Sequence, residues 1–110
     1  MLIYQWSASS RGHNWNDVRA LITEFTRHVE GPLSWPRGSV MVNRGCGDSQ
    51  TVQLEFPFHD AKEFEHAWKR MCSDRTTGQI WARMHPLLDE ASIERSVFEV
   101  QYSRAARTTP

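Results

Sequence analysis

Leu2, Tyr4 and Trp6 alternate with Ile3, Gln5 and Ser7, and this period of two predicts a first strand over residues 2–7. Ala8, Ser9 and Ser10 lack strand-forming bulk and Arg11-Gly12 is a turn pair, so the strand is expected to end there. Asn14 stands where a helix N-cap belongs, with Asp17 at the position of a capping carboxylate. Trp15, Val18, Leu21, Ile22, Phe25 and Val29 share one stripe of a helical wheel, which predicts a helix ended by Gly31-Pro32.

The segment PLSWPRG, residues 32–38, holds two prolines and a glycine and is expected to be a loop. Residues 39–44 and 51–56 are extended runs, with Val40 and Val42 alternating in one and Val52, Leu54 and Phe56 in the other. Gly45-Cys46-Gly47-Asp48 supplies turn chemistry between them, so they form a hairpin. The Gly-x-Gly there joins strand to strand and lacks the helix N-terminus that a phosphate cradle uses. Pro57 is expected to stop the second strand of the hairpin. Asp60 and Glu63 then mark a helix start, and Ala61, Phe64, Ala67, Trp68, Met71 and Cys72 form its stripe. Residues 78–88 read as a further helical piece with Ile80, Trp81, Met84 and Leu88 apolar, broken around Pro86. A last strand covers residues 93–102.

Strand, helix, strand, strand, helix, short helix, strand is the order of a split β-α-β arrangement. The expected fold class is α+β and ferredoxin-like, with a four-stranded antiparallel sheet carrying its helices on one face. Residues 1–102 are expected to be a single domain, and residues 103–110 a disordered polar tail.

Composition narrows the function. The chain has 110 residues, 39% of them hydrophobic, including five Trp and five Phe, enough for one core. Thirteen basic residues balance thirteen acidic ones, so no overall field draws in a phosphate backbone or an anionic membrane, and neither nucleic acid nor membrane is expected as a partner. Cys46 and Cys72 match neither a Cys-x-x-Cys motif nor a disulfide framework and are expected to be free thiols. The N-terminal run has no basic flank and is short for a signal segment, so a cytoplasmic location is expected.

Five histidines are the first candidates for chemistry. His66 falls nearly opposite the apolar stripe of its helix, among Glu63, Glu65, Lys69 and Arg70, which is a solvated face. Trp68 lies inside the stripe, as core or pocket wall. His59 precedes a helix start at a strand–helix junction, where ligands tend to meet polar groups, and His85 precedes Pro86 at a helix end. His28 sits at the rim of the first helix stripe near its C-terminus, and His13 has no distinguishing context. No short His-x-x-x-His pair advertises zinc, so no metal is expected. No Gly-x-Ser-x-Gly is present, and no cysteine has a nearby base that would make it a nucleophile.

The element order, with GDSQTVQLEFPFHDAKEFEHAWKRMCSD followed by IWARMHPLL, resembles the dimeric α+β barrel superfamily, and within it NIPSNAP-type small proteins. The resemblance implies a homodimer joined through the sheet face that the helices leave uncovered, and a cavity between sheet and helices in each subunit. It also implies a range of roles, among them cofactor-free oxygenases, cyclases, isomerases and haem-degrading enzymes. The haem-degrading pattern needs an Asn on the first strand with a Trp and a His on the later helix; here that strand offers Gln5 and Ser7. No cofactor is expected. Two readings stay open. One is a binding protein for a small hydrophobic or aromatic metabolite, with Tyr4, Trp6, Trp68, Trp81 and Met84 walling the cavity. The other is an oxygenase, cyclase or isomerase, with His59, His85 or Arg44 supplying proton transfer or anion stabilisation. An acid–base pair beside an apolar cavity would favour the enzyme, and a filled core would leave only a scaffold.

Overall fold

The computed structural model describes residues 1–43 and 50–101. Its elements are β1 (Leu2–Ser9), α1 (Trp15–Glu30), β2 (Ser39–Val42), β3 (Thr51–Phe58), α2 (Ala61–Cys72), α3 (Arg75–Met84) and β4 (Glu94–Glu99), with short 3-10 turns at His85–Leu87 and Glu90–Ser92. The four strands pair antiparallel in the order β2-β3-β1-β4. The fold is ferredoxin-like α+β, as the pattern predicted. Arg44, the hairpin turn with Cys46, and the tail from residue 102 onward lie outside the described residues.

Register sets the two faces of the sheet. Tyr4 lies opposite Phe56 and Val97, and Trp6 opposite Leu54 and Arg95, so all of these share the helix-covered face. Tyr4, Trp6, Ala8, Val52, Leu54, Phe56 and Phe58 are buried there against Val18, Leu21, Ile22 and Val29 of α1 and Ile80 and Met84 of α3. The alternation predicted for β1 and β3 therefore holds residue by residue.

Several boundaries differ from the sequence reading, each for a tertiary reason. β1 runs on to Ser9 because β3 pairs with it to the end, Ala8 against Val52 and Ser9 against Thr51, and Ser9 Oγ lies 2.9 Å from Thr51 Oγ1. Pro57 does not stop β3, which continues to the fully buried Phe58. β2 pairs only with residues 52–55, so beyond Glu55 that side of β3 has no ladder for a proline to interrupt. Asn14 occupies the N-cap of α1 without a side-chain cap bond. α3 starts earlier than expected, at Arg75, because Asp74 accepts from the Thr77 amide at 2.8 Å. β2 and β4 are shorter than expected, and both are exposed edge strands.

The proline-rich segment is a loop, yet it carries core. Trp35 is 3% exposed and packs edge-on against Phe56 and Phe58 at 5.1 and 5.4 Å. Gly38 follows where the chain meets β3: a Cβ there would lie 2.6 Å from the Glu55 carbonyl oxygen and from the Phe56 ring. Only glycine allows so close an approach.

Candidate functional site

Helices α2 and α3 do not close completely over the β1 side of the sheet. Between them and the strands lies a cavity of about 260 Å³, walled by Tyr4 and Trp6 of β1, Leu54 of β3, Phe25 of α1, Trp68, Met71 and Cys72 of α2, Thr77, Gly78, Trp81 and Met84 of α3, Asp74 between the helices, and Arg95 of β4. Every element that packs on this part of the sheet contributes an aromatic or aliphatic side chain. The helical stripes of α2 and α3 are wide enough to supply Trp68 and Trp81 at their rims, half-buried, while Met84 is fully inside.

Aromatic geometry orders the wall. Trp6 meets Trp81 edge-on at 5.7 Å, and Tyr4 meets Trp68 edge-on at 5.3 Å and stacks on Phe64 at 5.9 Å. The Arg95 guanidinium lies over the Trp81 ring, 5.2 Å from its centroid, a cation–π arrangement. Burial pushes the Tyr4 hydroxyl above the usual tyrosine range, while the neighbouring Arg95 pulls it down less strongly. The Trp6 indole Nε1 is buried and has no hydrogen-bond partner among the described residues.

Asp74 is the acidic group of the wall. Its Oδ2 accepts from the Thr77 amide and the Thr77 hydroxyl, both at 2.8 Å, and lies 2.6 Å from His28 Nε2. These bonds hold its carboxyl below the usual aspartate range, with the Thr77 amide the largest cause, then the Thr77 hydroxyl, and His28 adding less. His28 thereby ties the C-terminal part of α1 to the start of α3.

Tyr4, Trp6, Trp68, Trp81 and Met84, named from the sequence as cavity wall, all line this cavity. The histidines named for chemistry do not. His59 has an 87% exposed side chain and belongs to the start of α2, where its amide donates to Glu63 Oε2 and its Nδ1 lies 3.4 Å from Asp60 Oδ2. His59, Asp60 and Glu63 lie close enough to meet at one ion, but Asp60 and Glu63 are already engaged in capping α2. His85 does not line the cavity; its ring lies 5.9 Å from that of Trp81, centroid to centroid. Arg44 lies outside the described residues. Sequence reasoning missed Asp74, Thr77 and Arg95. A strand phase for residues 93–102 would have found Arg95, since pairing with β1 puts it beside Trp6.

Among known proteins, no family profile matches the chain, and no curated protein matches it. Solved structures do. A NIPSNAP family protein from Agrobacterium tumefaciens superposes with a TM-score of 0.74 at 13% identity, over 94% of this chain and 90% of that one. A NIPSNAP domain protein from Burkholderia xenovorans gives a TM-score of 0.72 at 12% identity, over 91% and 94%. The chain shares the ferredoxin-like α+β fold of these structures. SnoaB, a cofactor-independent oxygenase from Streptomyces nogalater, shares it with a TM-score of 0.67 at 11% identity, over 93% and 94% of the two chains. At these identities the likeness is one of fold, and function has to be argued from the site. No helix among the described residues is long and apolar enough to cross a membrane.

Proposed function

We propose that the protein binds a small hydrophobic or aromatic molecule in the cavity between its sheet and helices α2 and α3. The observation that carries this reading is the aromatic cavity itself, walled by Tyr4, Trp6, Trp68 and Trp81. At 260 Å³ the space suits one or two fused rings, below the roughly 300–1,000 Å³ of larger ligand sites.

The test is a titration of the full chain with 2-acetylnaphthalene, followed by tryptophan fluorescence. Saturable binding at one site per chain is expected, and a linear, non-saturating response overturns the reading. Native mass spectrometry of protein from its own host would then identify the natural ligand.

A catalytic form of the same site, an oxygenase, cyclase or isomerase, has one observation in its favour. The Tyr4 hydroxyl stays protonated through the neutral range and stands beside Arg95, a donor and a cation that together suit a developing oxyanion. The depressed Asp74 carboxyl is a weak base, so a substrate for such an enzyme would have to be acidic in its own right.

A homodimer through the uncovered sheet face belongs to the same proposal. Ile3 lies between Pro57 and Phe98 in the register, and Phe98 is 52% exposed, as is Met41 at 42%. Beside this apolar row Glu55 Oε1 accepts from Gln5 at 2.8 Å and from Gln53 at 3.1 Å. The Glu55 carboxylate at the polar centre of the face is thus hydrogen-bonded, which offsets part of the cost of covering it.

A further inference from the structure

The cavity wall carries two ionised side chains of opposite sign, and among the described residues only Asp74 has an ion-pair partner. Asp74 spends Oδ2 on His28 and on both donors of Thr77. Arg95 has no carboxylate partner among the described residues, where the ion pairs are His28 with Asp74, His59 with Asp60 and Arg83 with Glu24. Its guanidinium rests on the Trp81 ring and beside the Tyr4 hydroxyl.

A lone exposed arginine means nothing by itself. This one is placed by register on the helix-covered face, directly across from Trp6, so its head lies at the mouth of a cavity that is otherwise aromatic and aliphatic. A charge bordered by ring faces and partly shielded from water attracts an anion more strongly than the same charge in bulk solvent. Its planar fork of donors matches a carboxylate or an enolate in a way that an ammonium does not. The ring contact fixes the orientation of the fork without neutralising it.

We infer that the ligand is an aromatic anion, its ring held between Trp6, Trp68 and Trp81 and its charged oxygen held by Arg95 with the Tyr4 hydroxyl. This rests on the reading of the cavity as a ligand site and specifies the chemistry of what enters it. The ring goes in toward Leu54 and Met84, and the anionic group stays at the β4 side, where Arg95 keeps it partly hydrated. A neutral aromatic of the same shape fills the apolar part alone.

The test compares 2-naphthoate with 2-acetylnaphthalene, which share ring and outline and differ in charge, by calorimetry on the full chain. Wild type is expected to bind the carboxylate about tenfold or more tightly than the ketone. Arg95→Gln is expected to bring that ratio to about one, and added salt to lower it in the wild type. Arg95 lies on an exposed edge strand, so circular dichroism of the variant should match the wild type, and the salt series needs no variant at all. Equal binding of the two probes by wild type, or an unchanged ratio in Arg95→Gln, overturns the anion assignment and leaves the cavity reading standing. Failure of both probes to bind overturns both readings, and binding of the ketone alone overturns the anion assignment.

Discussion

The indole Nε1 of Trp35 donates to the Ala67 carbonyl across 3.2 Å, and this bond joins the proline-rich loop to the middle of α2. The same ring lies edge-on to Tyr4 at 6.2 Å and to Phe25 at 6.5 Å, so it also touches the back of the cavity wall. A loop residue thus fixes how far α2 stands from the sheet. Trp35→Ala is expected to cost about 3–5 kcal/mol on chemical denaturation. Trp35→Phe keeps most of the ring contact and should cost clearly less. Equal losses in both variants would mean that the indole hydrogen bond, and not ring packing, holds the loop.

Gly78 lies in α3 on the cavity wall, and a Cβ built there meets no atom within 4 Å. Gly78→Ala should therefore stabilise the protein by about 0.5–1 kcal/mol through helix propensity alone. Thermal melts of the two proteins decide it. A loss of stability would show that α3 uses the freedom of glycine, or that its wall is closer packed than the geometry indicates.

Asp74 couples two helices through its ionised form. Its carboxyl is held below 3.8 in the folded chain, so its contribution is full above that pH and is lost as pH falls from there through the folded value. Asp74→Asn keeps a capping side chain but loses the charge that His28 and Thr77 meet. The variant should melt below wild type at about pH 6, and the gap should narrow as pH falls below 3.8. A gap that stays constant with pH would mean that shape, and not charge, sets the role of Asp74.

The uncovered face of the sheet gives the last prediction. Phe98→Glu places a charge at the β4 end of the row formed with Ile3 and Pro57, and it should turn a dimer into a monomer without lowering helix content. Light scattering across a dilution series reads this directly. A mass near 12.8 kDa for the wild type at every micromolar concentration would remove the dimer.

Local periodicity determined much of this protein. The two-residue alternation of β1 and β3 and the stripes of α1 and α2 follow from which side chains must leave water, a demand each segment meets largely on its own. That is why Tyr4, Trp6 and Trp68 could be put on apolar faces before any coordinates, while the cavity they share with Trp81 and Met84 was implied by the resemblance, and why His66 could be placed in solvent, where it is. Other features depend on what lies alongside in space. Ser9 is a strand residue because Thr51 is opposite it, Pro57 is tolerated because β2 stops short, and Trp35 is core because α2 offers a carbonyl. The polar part of the site is of the same kind. Asp74 and His28 lie 46 positions apart, and Arg95 reaches Trp81 only because β4 pairs with β1. No spacing along the chain encodes such meetings; they arise when the sheet closes its register and brings distant charges to one cavity.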